Sequence, residues 1–338
     1  MDDMSADEPR RAARPSEKQL TPEEVKAAIQ GDLGGMVEIM MPGECDEPIL
    51  EENVRRSVFE WMTETRAAKE LKAVGLEPRL SCLLYGPPGC GKTTLAHHFA
   101  ARVGMPLVVI KGEMLVDMYL GSSGRNISQV FSCLRKHRTR AIGFLDEIDS
   151  IATKRSSGPG SAAGKEQNAI VTALLTNIES LKGMFFAATN RHDAIDPAIW
   201  RRFSMHIDVR LPAFEERFAI MKRYGQPFEF TDGFLDTLAN VTTGAAPSLL
   251  RQLMEGIKRA LVLGPRIKRD TSDPLSVIAD VVAQVQPHPM YLEPPFVAPP
   301  LWKGDDFQVA FLDADWPPVL PSKQSKQSDN QPESGSKP

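Results

Sequence analysis

Gly86-Pro87-Pro88-Gly89-Cys90-Gly91-Lys92-Thr93-Thr94 is the stretch on which the fold turns. Glycines at 86, 89 and 91 permit a tight turn in which successive backbone N–H groups point inward and make a nest for an anion. Lys92 supplies a point charge for the β- and γ-phosphates of a nucleotide, and Thr93 a hydroxyl ligand for Mg²⁺. Cys90 is a spacer in this pattern rather than a redox group. The flanks agree with the loop. Leu80–Tyr85 is a short apolar run, as a strand buried on both faces should be, and Leu95, Ala96, Phe99, Ala100 and Val103 keep helical spacing until Gly104 and Pro106. A helix beginning near Gly91 adds its N-terminal dipole to the anion site.

Outward from the loop the alternation continues. Leu107–Ile110, Ala141–Leu145, Met184–Thr189 and Met205–Val209 are further strand candidates, with helical stretches near 124–138 and 165–181. Strands alternating with helices predict an α/β fold over 79–212, a phosphate-loop NTPase with a parallel sheet flanked by helices. After Leu211-Pro212 the spacing turns helical at 214–223, 232–240, 246–262 and 275–285, which predicts a small all-helical lid domain over 213–286.

Upstream, residues 1–20 are charged and read as a disordered arm, and 21–78 as N-terminal helices. Thr21 and Pro22 form a helix start that should end near Gly31. A longer helix over 48–73 carries Val54, Val58, Trp61 and Met62 on one face. Downstream, nine prolines between Pro287 and Pro321 forbid regular structure over most of that stretch, so 287–338 reads as a Pro-rich, largely disordered tail. Within it Phe307–Trp316 is an aromatic and acidic island, suited to docking on a partner, on the chain's own surface, or to forming a self-packed strand.

Composition narrows the class. The chain has 338 residues, 42% hydrophobic and 25% charged, with a net charge of −4. No basic surplus marks a nucleic-acid surface, which counts against nucleic acid as a partner. Cys45, Cys82, Cys90 and Cys133 are far apart and include no C-x-x-C pair, which fits neither a zinc framework nor disulfides and points to a reducing compartment. The polar start excludes a signal peptide, and no apolar run approaches ~20 residues, so no membrane span is expected and the cytoplasm is the default location. His97 and His98 point to different faces of one helix and read as ordinary helix residues.

The second chemical element is Ile142-Gly143-Phe144-Leu145-Asp146-Glu147-Ile148-Asp149. An apolar strand ending in carboxylates puts them at the carboxyl edge of the sheet, where ligands bind in open α/β folds. There Asp146 would hold Mg²⁺ through water and Glu147 would act as general base on the attacking water.

Gly86–Thr94, Leu145–Asp149, Ala188-Thr189-Asn190 and Asp196-Pro197-Ala198-Ile199-Trp200-Arg201-Arg202-Phe203 come in the order and spacing of the AAA ATPases. The resemblance covers roughly 50–287. It points to the branch of the AAA+ superfamily that includes katanin, spastin and the membrane-bound bacterial proteases with ATPase modules. It implies ATP as the nucleotide, hydrolysed to ADP and phosphate with Mg²⁺. Asn190 matches sensor 1, between the general base and the γ-phosphate. Arg201 and Arg202 match the arginine fingers that reach a neighbouring subunit's site; adjacent here, they leave open which one acts, with Arg202 favoured. Met118, Tyr119 and Leu120, before Gly121, resemble the first pore loop of a hexameric ring that grips an extended polypeptide; the alternative is the end of a packed helix. Lys154–Lys165 falls at the second pore loop, or is a passive surface loop.

Two departures stand out. Thr243-Gly244-Ala245-Ala246-Pro247-Ser248-Leu249 replaces the usual Gly-Ala-Asp turn near the base, and the Asp-Val-x-Gly stretch is missing, which turns attention to the backbone near 45–50 for the adenine. The resemblance thus implies a homo-oligomer, a hexamer, driving protein remodelling or unfolding through a ring pore on a protein substrate. Recognition would go through the tails or a separate adaptor, with a separate protease as a further partner. An ATP-dependent assembly switch or scaffold that threads nothing remains the alternative, and a nucleic-acid motor the third reading.

Overall fold

The computed structural model describes residues 20–115, 123–152, 162–303, 316–318 and 320. Its sheet runs β1 (Glu38–Met40), β2 (Ser81–Tyr85), β3 (Leu107–Lys111), β4 (Ile142–Asp146), β5 (Phe185–Thr189) and β6 (Met205–Asp208), in spatial order β1-β3-β4-β5-β2-β6. β1 is antiparallel to β3, and the remaining pairs are parallel. β2 sits between β5 and β6, so the connection from β2 to β3 skips two strands. That skip opens a crevice beyond the carboxyl end of β2, the usual ligand position in such sheets.

Both faces of the sheet are buried, which is why the strands read as continuous apolar runs. Leu83, Val108, Leu145, Phe185 and Ala187 face one core, and Cys82, Leu84, Val109, Phe144, Phe186 and Ala188 face the other. The first core is closed by α1 (Pro22–Leu33), α6 (Ser123–Lys136) and α7 (Ala162–Ser180); the second by α2 (Glu52–Arg66) and α4 (Lys92–Val103). Trp61 of α2 lies 4.5 Å from the Phe99 ring and 4.7 Å from the Phe186 ring, and its Nε1 donates to the Arg79 carbonyl at 2.6 Å. Burying each such aromatic stabilises the fold by about 1.5–3 kcal/mol. The shorter helices are α3 (Ala68–Ala73), α5 (Gly112–Leu115) and α8 (Pro197–Trp200).

Residues 21–78, set apart in the sequence, share these cores with the sheet. Val25, Ile29 and Leu33 of α1 lie in one core, and Val54, Val58 and Trp61 of α2 in the other. Thr21 and Glu24 form a capping box at the start of α1. The single helix expected over 48–73 is divided at Ala67 into α2 and α3, and begins only at Glu52.

The lid comprises α9 (Phe214–Gly225), α10 (Asp232–Val241), α11 (Pro247–Leu263) and α12 (Pro274–Gln284) around Met221, Leu235, Leu250, Leu253 and Ile278. Buried Arg217 ties it to the linker, donating to the carbonyls of Pro212 and Ala239 at 2.9 Å and to Thr243 Oγ1 at 3.0 Å.

The tail departs from the expected disorder. Residues 287–303 form a strap with two short 3₁₀ turns, Pro289–Leu292 and Pro300–Trp302. Tyr291 and Leu301 are buried, and the Trp302 Nε1 donates to the Val285 carbonyl at 2.6 Å. Prolines exclude a helix here, but the apolar side chains between them still find a surface to cover. Of the island Phe307–Trp316 only Trp316 is among the described residues; it packs 5.4 Å from Phe234 on the lid and donates to the Thr271 carbonyl at 2.8 Å.

Candidate active site

In-register pairing gathers the chemistry at one edge. Tyr85 lies opposite Thr189 and Asp208, and Lys111 opposite Asp146, so the loops leaving β2, β4 and β5 open on the same side. Those loops carry Gly86–Gly91, Glu147 and Asn190.

Close packing fixes the phosphate loop. A Cβ on Gly86, whose φ is +140°, would meet the Val209 carbonyl oxygen at 2.2 Å. One on Gly89, at φ +74°, would meet Ser248 Oγ at 2.2 Å. The lid touches the loop at that point, with the Ser248 N–H donating to the Gly89 carbonyl at 3.2 Å. Lys92 is buried, and its Nζ donates to the carbonyls of Gly86 and Pro87 at 2.8 Å, leaving one of its three N–H donors. Burial lowers its pKa, an effect opposed by Cys90, Asp146 and Asp149. Burial pushes the Cys90 thiol up to about 11, which keeps it protonated and fits a packing role.

Thr93 and Asp146 come together across 53 residues of sequence: the Thr93 hydroxyl donates to Asp146 Oδ2 at 2.9 Å. Two oxygen ligands held side by side at a phosphate loop suit a small hard cation such as Mg²⁺. The Glu147 N–H donates to Asp146 Oδ1 at 3.0 Å. Glu147 has φ +51° and ψ +47°, a left-handed conformation that a non-glycine residue holds only where its surroundings impose it. Behind it, a Cβ on Gly112 would sit 2.1 Å from Ser150 Oγ and 3.0 Å from the Glu147 carbonyl, so the turn is held from the β3 side. Asp149 accepts the Thr189 hydroxyl at 2.8 Å, linking this turn to the strand that presents Asn190.

These residues face a cleft of about 460 Å³ between the sheet edge and the lid. Pro88–Thr94, Asp146, Glu147 and Asn190 line one side. Asp46–Ile49 line it as well, the backbone region to which the missing Asp-Val-x-Gly stretch had directed attention. The lid contributes Ile220, Tyr224 and two cations, Arg223 and Arg251. Arg251 stacks 5.3 Å over the Tyr224 ring, while Arg223 donates to the Glu47 carbonyl. Sequence reasoning missed both, because a lone arginine on a lid helix carries no motif. It also missed Tyr291 of the strap, whose hydroxyl donates to the Pro88 carbonyl.

Arg201 and Arg202 are not part of this cleft. The Arg202 carbonyl accepts the Ser81 hydroxyl at 3.4 Å, at the start of β2, whereas the phosphate loop leaves its end. Four steps along a strand span roughly 13 Å. Both arginines are exposed, and Arg202 Nη2 pairs with Glu179 Oε1 at 2.7 Å. Met118, Tyr119 and Leu120 lie outside the described residues, as does the Gly/Ser-rich part of Lys154–Lys165. His97 proves structural, its Nε2 lying 2.8 Å from the Met41 carbonyl.

Comparison with known proteins agrees with this geometry. Residues 82–211 match the family described as "ATPase family associated with various cellular activities (AAA)". The chain is 36% identical over 186 residues to a proteasome-activating nucleotidase of Pyrococcus abyssi, an alignment covering 53% of this chain and 46% of that protein. It is 35% identical over 196 residues to Protein SAV of Sulfolobus acidocaldarius, covering 56% and 24%. It is 41% identical over 142 residues to an uncharacterized AAA family ATPase of Sinorhizobium fredii, covering 41% and 42%. The chain therefore spans less than half the length of these relatives. No helix among the described residues is long and apolar enough to cross a membrane.

Proposed function

We propose, from the premise that this chain is an AAA ATPase by its residues 82–211, that it hydrolyses ATP to ADP and phosphate at a site shared between subunits and couples the cycle to remodelling of a protein substrate. The observation that carries the hydrolytic reading is the meeting of Thr93, Asp146 and the strained Glu147 at the mouth of the phosphate loop. The loop N–H groups and the remaining Lys92 donor hold the β- and γ-phosphates. Thr93 and Asp146 would hold Mg²⁺, whose charge offsets that of the phosphates. Glu147 takes a proton from water as the water oxygen attacks the γ-phosphorus and ADP departs. Asn190 orients that water.

What supports a shared site is the position of Arg201 and Arg202 at the far end of β2, exposed and remote from their own chain's cleft. A guanidinium from a neighbour would then complete the charge stabilisation, Arg202 being our choice. A ring, a hexamer by the family resemblance, satisfies this geometry. The name carried by the Pyrococcus abyssi relative favours a protein as substrate and a protease as a companion. In the ring, Tyr119 with Met118 and Leu120 would grip the polypeptide through a flat amphipathic side chain that reads no sequence.

The test of hydrolysis is Glu147→Gln, which should keep ATP affinity within a few-fold and lower kcat by ~10²–10⁴. Turnover at the unmodified rate removes Glu147 from the role of base. Threading is tested separately by Tyr119→Ala: unfolding of a model substrate should cease while basal hydrolysis persists, and unimpaired unfolding would discard the pore.

A further inference from the structure

At the end of the sheet remote from the cleft, the last turn of α1 meets the last turn of α6. Asp32 comes from α1, Cys133 from the last turn of α6, and His137 from the residue just past its end, whose N–H still donates to the Cys133 carbonyl at 3.1 Å and so keeps the two on one face. One ligand atom from each lies within 4.8 Å of the other two, and Cys133 Sγ stands 3.8 Å from Asp32 Oδ2. Cys133 is 5% exposed and His137 only 2%. Neither ring nitrogen of His137 has a hydrogen-bond partner among the described residues, although both are buried. A buried imidazole with two unanswered polar atoms is rare in a folded protein, because burial strips their water without replacing it.

We propose that Asp32, Cys133 and His137 bind a single Zn²⁺ ion that pins α1 to the ATPase core. The donor set selects the metal. A thiolate with an imidazole suits a borderline-soft ion such as zinc, whereas calcium and magnesium take oxygens. Zinc holds sulfur at about 2.3 Å and nitrogen or oxygen at about 2.0–2.2 Å, so ligand atoms of a tetrahedral site lie about 3.3–3.8 Å apart. The three groups need draw in by no more than about 1.5 Å to reach that spacing. Burial lowers the His137 pKa, favouring the neutral ring, and pushes the Cys133 thiol up to about 11, so zinc must displace the thiol proton as it binds and its uptake strengthens as pH rises. The competing cation is Lys136, whose Nζ sits 2.8 Å from Asp32 Oδ2; its side chain is 62% exposed and can swing into solvent. The fourth position falls to water on the exposed Asp32 side. Gln129 Nε2 already donates to the Asp32 carbonyl at 3.2 Å, so the helix ends are in register before any ion binds.

The experiment uses the full chain, stripped with chelator and titrated with Zn²⁺ or Co²⁺ alone. One ion per chain is expected, with a thiolate-to-cobalt charge-transfer band in the Co²⁺ form and a melting temperature that rises with Zn²⁺. Cys133→Ser should abolish the band, and His137→Gln should weaken zinc binding by more than about 100-fold. Asp32→Asn, at an exposed position where the isosteric amide leaves the packing intact, should weaken it by at least about 10-fold and remains informative if either buried variant misfolds. Failure to retain zinc, or zinc affinity unchanged in Asp32→Asn and Cys133→Ser, would overturn the proposal. ATPase activity is not the readout, so this result stands apart from the fate of the hydrolytic assignment.

Discussion

Single residues at the candidate site are constrained more by backbone than by side-chain chemistry. Gly86 combines a φ of +140° with a Val209 carbonyl oxygen 2.2 Å from where a Cβ would be. Gly86→Ala should therefore cost ~1–3 kcal/mol from backbone strain alone, with a further loss from the clash. We expect a lowered melting temperature together with weakened ATP binding; a variant with unchanged stability would contradict the tight approach of β6. Glu147 shows the same principle in the opposite sense. A left-handed glutamate is uphill by itself, yet it is held there by Asp146 Oδ1 on one side and by the contact of Gly112 with its carbonyl on the other. The acidic pair was legible in the sequence as two adjacent carboxylates at the end of a strand. Its strain was not, because φ at a non-glycine residue is imposed by neighbours distant in the chain.

At the scale of elements, the phosphate loop is gripped from the lid as well as from the sheet. The first turn of α11 reaches Gly89 through the Ser248 N–H, and the strap reaches Pro88 through the Tyr291 hydroxyl. Gly244, at φ +88°, allows the Val297 carbonyl to come within 2.6 Å of where its Cβ would lie, so the strap lies close over the turn before α11. Loop, lid and strap thus form one contact, which would couple lid movement to a nucleotide held by the loop. Tyr291→Phe deletes only the hydroxyl. It should lower stability by about 1 kcal/mol, a melting temperature roughly 2–4 °C lower for a unit of this size, and should weaken ATP binding measured by titration. An unchanged ATP affinity would reduce the strap to a covering for the lid core. The strap itself escaped sequence reading because its prolines argue against regular structure and say nothing about whether an irregular segment is packed.

For the whole molecule, the decisive feature is the separation along β2 of the phosphate loop from Arg201 and Arg202, which under the proposed shared site would complete a neighbour's cleft. Arg202→Ala should lower kcat by ~10³ or more, with little effect on the stability of the isolated subunit, since its exposed pair with Glu179 is worth at most about 1 kcal/mol. Mixing Arg202→Ala subunits with Glu147→Gln subunits should restore part of the activity, because some interfaces then join an intact base to an intact arginine. No recovery on mixing, with assembly demonstrated, would place both groups in one chain's site. The two cores on either side of the sheet make α1 and α2 part of the same body, and the segment between them carries Asp46–Ile49 to the cleft.

The sequence by itself determined the strands that gather at the site, the phosphate loop, the acidic pair and the lid's helices. Each is written in local terms: apolar runs for strands buried on both faces, glycines for a tight turn, a 3.6-residue period for helices. Only the tertiary structure decided which edge of the sheet each group occupies. It brought Thr93 to Asp146, added the three-residue strand β1 and turned the Pro-rich tail into a strap. It also placed Arg223, Arg251 and Tyr291 at the cleft and Asp32 beside Cys133 and His137. The reason is physical. Local pattern follows from backbone geometry and solvent preference within a few residues, whereas convergence depends on strand order and helix packing, which arise only when the whole apolar surface is buried at once.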